Sequence, residues 1–174
     1  MKLALLALVF VAALPGTALR AQTLIDPTSA YETGIEIAAT ALANALVASR
    51  DAAWSQGTEP MPPQIREALL NWYPADLLDS IEYRTGVAED ATLQSLAMRY
   101  SDATAVTAID TIIFHDALDA QTNIALWGHE VKHVEQFRRW GLMGFARAYV
   151  RDHAAVEAEA YAIGAEIKAR YGGG

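Results

Sequence analysis

Ala125-Leu126-Trp127-Gly128-His129-Glu130-Val131-Lys132-His133-Val134-Glu135-Gln136 is the stretch on which the fold turns. The residues from about Asn123 to Trp140 recur at helical spacing, which predicts one helix over them. On that helix His129 and His133 stand at i and i+4, one above the other on one face, close enough to share a single ion. Glu130 points about 100° away, so it can reach a metal-bound water without ligating the ion itself. Around the same wheel Ile124, Trp127, Val131 and Val134 gather opposite His129, while Leu126, Phe137 and Trp140 flank the histidines. Apolar residues on two sides predict a helix deep in the fold. Two stacked imidazoles in such a place need partners: a bound cation is one solution, and carboxylates or carbonyls of the core are the other.

Working outward toward the C-terminus, the helix is expected to end near Gly141, a second helix to cover Leu142 to Val150, and a last one to carry the apolar stripe Val156, Ala160, Ile163, Ile167 and Tyr171. A zinc site of the His-Glu-x-x-His kind takes a third protein ligand and leaves a fourth position for water. Glu157 and Glu159 on the last helix both offer a carboxylate, and spacing does not choose between them. Either also suits a solvated helix face.

Working outward toward the N-terminus, Asp116 to Gln121 reads as a polar turn, with Thr122 or Asn123 capping the long helix. Ala105 to Ile109 and Thr111 to Phe114 are β-branched runs around Asp110, and Ile81 to Thr85 alternates apolar with polar, so a small sheet is expected. Thr92 to Tyr100 is a predicted helix between these strands. Gln64 to Trp72 reads as a short helix begun by Pro63, and Ala75 to Leu78 as another after a turn at Pro74. Gly57 to Pro63 is a proline-rich linker. Before it, Ile35, Ala39, Leu42 and Leu46, continued through Ser49 to Ala53, mark one face of an amphipathic helix over Tyr31 to Ala53, with Ser29 or Thr28 as cap. The expected fold is a single α+β domain, mostly helical, with a small β-sheet or hairpin.

The 174 residues are 53% apolar, 9% aromatic and 20% charged, which excludes disorder and collagen-like repeats. The formal charge of −8 and the pI near 4.9 exclude the basic surface that nucleic acid or an anionic bilayer requires. Without a twenty-residue apolar run, a polytopic membrane protein is excluded as well. Cysteine is absent, so any metal must be held by His, Asp, Glu or backbone oxygen. Residues 1–21 have the form of an export signal: Lys2, the apolar stretch Leu3 to Leu14, a break at Pro15-Gly16, then small residues. Cleavage after Ala18 or Ala21 fits, and the polar start Gln22-Thr23 favours Ala21. An uncleaved anchor or a buried helix is the competing reading. Removal of Lys2 and Arg20 leaves 11 basic against 21 acidic residues, a mature charge of −10. The expected organisation is a signal over 1–21, an N-terminal helix and linker over 22–60, a catalytic-type domain over 61–171, and a frayed tail at 172–174.

Met61-Pro62-Pro63, the helix after it, the Val106 to Phe114 hairpin and the stretch Ala125 to Gln136 together resemble the core domain of extracellular contractile injection systems, a zinc metallopeptidase family. The similarity runs roughly from Met61 to Ala165, and includes the glutamine three residues after the second histidine, Gln136. The resemblance implies a minimal gluzincin-like fold with His129 and His133 as zinc ligands and Glu130 as general base. It also implies a third ligand in a Glu-x-x-Ala-Asp pattern, which falls on Glu157-Ala158-Glu159-Ala160-Tyr161 and selects Glu157; Tyr161 replaces the usual Asp. A role in injection is not implied for a chain that begins with an export signal. The functional expectation is a secreted or periplasmic zinc-dependent peptidase acting on a protein or peptide substrate, with no nucleic-acid partner and no integral membrane segment in the mature chain. A zinc-stabilised binding module for a peptide or cell-envelope partner is the alternative, and a metal-free interaction domain a third. Tyr149, His153 and Tyr161 are candidate oxyanion donors; His115 is placed near a cleft edge or at a strand end.

Overall fold

The computed structural model describes residues 26–86 and 104–171. The expected export signal, the expected helix over Thr92 to Tyr100 and the glycine tail lie outside the described residues. The fold is α+β and mostly helical. Helix α1 spans Pro27–Ser55, α2 Pro63–Leu69, α3 Ala75–Leu78, α4 Ala117–Thr122 and α5 Ile124–Tyr171. Strands β1 (Glu59–Pro60), β2 (Glu82–Thr85), β3 (Ala105–Ala108) and β4 (Thr111–Phe114) form one sheet in the order β1-β2-β4-β3. The β3–β4 hairpin is antiparallel, with Val106 opposite Ile113, and β4 runs parallel to β2. Among the described residues that leaves β3 at the edge.

Helix α5 is three helices in series. Gly141, at φ 70°, breaks it in the left-handed region where only glycine is unstrained, and Asp152 leaves helical geometry at φ −155°, ψ 78°. The segments 124–140, 142–151 and 153–171 match the three helices expected there. Asn123 caps the first, its side chain accepting from Leu126 N–H at 3.1 Å, and Asp152 caps the third through Ala155 N–H at 3.0 Å. Trp127, Val131 and Val134 enter the main core with Phe114, Ile112 and Tyr83, as the helical wheel predicts. The first and third segments cross very closely. A Cβ on Gly128 would stand 2.1 Å from Ile167 Cδ1, and one on Gly164 3.3 Å from Ala125 O and 3.5 Å from the His129 Cβ.

Three expectations are corrected. Asp116 to Gln121 is not a turn: Asp116 Oδ1 accepts from Leu118 N–H at 2.6 Å and starts helix α4, which holds only Ala120 in the core. The cap of α1 is Asp26, whose carboxylate accepts from Thr28 N–H, two or three residues earlier than expected. The linker contributes strand β1. Helix α1 lies against the middle segment of α5 and against the hairpin: Arg147 grips Glu36, Arg50 holds Asp110 through two bonds of 2.5 and 2.9 Å, and Trp54 donates to Thr111 Oγ1 at 2.8 Å. These contacts fix the hairpin corner, where Ile109 sits at φ 65°, a conformation a β-branched residue rarely takes. No helix among the described residues is long and apolar enough to cross a membrane.

Candidate metal centre

His129 and His133 project from the first segment of α5, and the close crossing at Gly128 and Gly164 lays the third segment across them. Glu157, one turn after the Asp152 cap, meets the two rings. His129 Nε2 and His133 Nε2 are 3.3 Å apart, and Glu157 Oε2 lies 3.4 Å from the first and 3.5 Å from the second. The three donor atoms form a nearly equilateral triangle, and together these residues could hold a metal ion. Residues 60–141 match the family model of the eCIS core domain. The eCIS core match agrees with the resemblance read in the sequence and contains both histidines and Glu130; Glu157 lies beyond its end. No curated protein and no solved structure matches the chain.

The surroundings orient each donor. His133 Nδ1 is 2.9 Å from Gln136 Oε1, and the Gln136 amide nitrogen donates to Val156 O at 3.0 Å. An amide whose nitrogen is committed to a carbonyl presents its oxygen to the ring, so Nδ1 carries the hydrogen and Nε2 faces Glu157. Gln136 is wholly buried. It therefore ties the first segment of α5 to the third at the height of the triad. Tyr149 donates its hydroxyl to Glu157 Oε1 at 3.1 Å, leaving Oε2 for the imidazoles. Burial pushes the Tyr149 phenol far above its ordinary value, so it stays a donor. Burial alone would raise the Glu157 carboxyl, but the bonds from His129 and His133 win and hold it well below the usual carboxylate range. For His133 burial works downward, and Glu157, the field of Glu130 and Gln136 together lift it above an ordinary imidazole.

Glu130 is buried beside the triangle. Thr107 on β3 donates to its Oε2 at 2.7 Å, while Oε1 lies 3.9 Å from His129 Nε2. One oxygen is thus anchored to the sheet and the other is left near the triad. A cleft of about 880 Å³ opens above, bounded by α1, the β3 edge and the three segments of α5. His115 N–H donates to Thr104 O at 2.8 Å, which sets the phase of the antiparallel ladder. By its alternation, the backbone groups of Ala105 and Thr107 point away from β4, to the side of β3 on which no strand pairs among the described residues.

Of the other residues singled out in the sequence, Glu159 turns away to Arg139 at 2.8 Å and takes no part in the triad. Tyr161, at the position where the eCIS resemblance expects Asp, is exposed and lays its ring on His129, centroids 4.7 Å apart. His153 lines the cleft near Tyr149, and His115 is exposed at the end of β4, away from the cleft lining. Sequence reasoning gave no role to Thr107, Leu42 or Leu46 at the site. Thr107 carried a faint signal, a hydroxyl residue amid apolar neighbours on a strand; the leucines read only as core.

Proposed function

We propose that the protein is an exported zinc-dependent peptidase in which His129, His133 and Glu157 hold the metal and Glu130 is the general base. The observation that carries this reading is the triangle of 3.3, 3.4 and 3.5 Å with Glu130 Oε1 beside it. Ligands on a tetrahedral zinc at bonds of ~2.0–2.1 Å stand about 3.3–3.4 Å apart, whereas neighbouring ligands of an octahedral magnesium stand about 2.9 Å apart. Two imidazoles also suit zinc better than a hard cation. Three protein ligands leave one position open, the mark of a catalytic rather than a structural site. Bound there, zinc would supply acidified water and a Lewis acid for an amide carbonyl.

The chain's own residues supply the rest. Glu130 receives a proton at Oε1 from the attacking water and returns it to the leaving amine, while Thr107 keeps its other oxygen fixed. An extended peptide fits the cleft because the edge of β3 offers it the backbone groups of Ala105 and Thr107 in strand-addition geometry. The form of residues 1–21 supports export to the periplasm or outside the cell. The test is metal analysis with a cleavage assay on the mature chain. About one zinc per molecule and peptide hydrolysis are expected, with zinc lost in His133→Ala and hydrolysis lost but zinc kept in Glu130→Gln. Protein that takes up no zinc on refolding with the metal overturns the reading. The Tyr161 ring over His129, where a supporting carboxylate was expected, favours the binding module as second reading; under it peptide binding persists and no substrate is cut.

A further inference from the structure

The cleft has one strongly apolar wall next to the triad. Phe145 stands edge-on to the His133 ring, centroids 6.1 Å apart, and stacks on Tyr149 at 5.7 Å, whose hydroxyl reaches Glu157. Leu46 of α1 packs on Phe145, and half-buried Leu42 joins the same cluster. All four residues line the cleft. The charged group at this end is Glu157 itself, with His153 beyond Tyr149; the lysine that lines the cleft, Lys168, is eleven residues from Glu157 along the helix, ~16 Å away. None of the four falls within residues 60–141. The part of the chain that matches the family therefore supplies the histidines and the base, and the wall beside them is built by the flanking helices of this protein.

We propose that Leu42, Leu46, Phe145 and Tyr149 form a selectivity subsite for a bulky apolar side chain, of the Leu or Phe kind, on an extended peptide laid along the β3 edge. The proposal rests on the zinc reading of the triad for the anchored probes, and on the peptidase reading for turnover alone. The wall touches a metal-ligand candidate on each side, His133 through Phe145 and Glu157 through Tyr149, so the side chain it accepts belongs to a residue adjoining the peptide bond held at the triad. Side chains two apart on a strand are ~6.6 Å apart and point the same way, so a second selected position falls beyond this wall. Burial of an apolar side chain there, against water for glycine, corresponds to a preference of about ten-fold or more.

The test uses short peptide hydroxamates, whose metal-chelating end anchors them at the zinc, differing in one adjacent side chain: Gly, Ala, Leu, Phe or Asp. Their affinities for the zinc-loaded protein are measured by calorimetry, and a degenerate peptide library is digested in parallel. The expected result is Leu and Phe at least ten-fold tighter than Gly, Asp weakest, and the Phe-to-Gly ratio collapsing toward one in Leu42→Trp, which fills the space. Leu42→Asn, which makes the wall polar without adding bulk, is the second variant and lowers the same ratio. Affinities that do not rank with apolar size overturn the subsite, even where the library is cut. The expected ranking with an uncut library upholds the subsite and overturns the peptidase reading.

Discussion

Thr107 and Gln136 do the same kind of work from opposite sides of the site: each fixes one atom of a functional group, the Glu130 carboxylate or the His133 imidazole, and so leaves another atom of that group aimed at the triad. A carboxylate such as Glu130, buried to 4% exposure, needs a donor on each oxygen or a polar neighbour in its place. Thr107 supplies one at 2.7 Å. Thr107→Val keeps the shape and removes that hydrogen, so kcat is expected to fall about ten-fold or more, while KM moves little and Thr107→Ser restores most of the loss. Equal losses in Val and Ser, or a loss in KM alone, would show that the hydroxyl does not position the base. Gln136 acts on the candidate ligand His133 instead. Gln136→Leu strands the Nδ1 hydrogen of His133 and the carbonyl of Val156, and zinc affinity is expected to drop about ten- to a hundred-fold in competition with a chelator. An unchanged affinity would mean that packing alone holds the ring.

At the scale of elements, the crossing of the first and third segments of α5 decides which glutamate meets the histidines. Glu157 and Glu159 are about 200° apart on one helix, so only the angle and depth of the crossing can select between them. That depth depends on Gly128 and Gly164, which is why the helix and its histidine pair were legible in the sequence while the third donor was not, except through the family resemblance. The long segments were legible because their apolar periods were clear and Gly141 marked the end of one; the Asp152 cap, a single residue inside a continuous polar run, was not singled out. Helix α4 was not: it buries only Ala120, so no period exists to be seen, and Asp116 reads equally well as a turn residue. Strand β1 was hidden by its length of two residues and by Pro60, a residue strands tolerate at edges. The crossing can be tested. Gly128→Ala gains helix propensity of up to about 1 kcal/mol, but its methyl would meet Ile167 Cδ1 at 2.1 Å, and because Ile167 is wholly buried its end can shift only into packed neighbours. Overpacking wins, and a net loss of about 1–2 kcal/mol is expected. Ile167→Val removes the offending atom; the next contact, Ile167 Cγ1, stands at an ordinary 3.5 Å. The double variant should therefore be more stable than the sum of the single changes predicts, and strict additivity in denaturant melts would place the crossing elsewhere.

For the whole molecule, a zinc ion bound as proposed would compete with protons for one set of atoms, which sets opposite expected pH trends for the metal-free and zinc-loaded forms. His133 is raised in the folded state, so its contribution to stability is complete below the ordinary imidazole value near 6.5 and is lost as pH rises through the folded value. Glu157 is depressed, so its contribution is present above about 4.5 and is lost only as pH falls through its lower folded value. In the metal-free chain the two are satisfied together between about pH 4.5 and 6.5, and stability from this pair declines toward pH 8. Zinc needs the imidazole neutral and must displace that proton below the folded value of His133, at a cost of about ten-fold in affinity per pH unit for each proton displaced. The rise in Tm on adding a fixed excess of zinc is accordingly expected to grow from pH 5.5 to 8, over the range in which the metal-free Tm loses the ion pair. Glu157→Gln separates this from general charge effects, because the carboxylate that lifts His133 is gone: the metal-free decline flattens, and the zinc-induced rise shrinks at every pH. A zinc-induced rise that stays constant across this range in the unaltered protein would place the metal on groups other than these imidazoles.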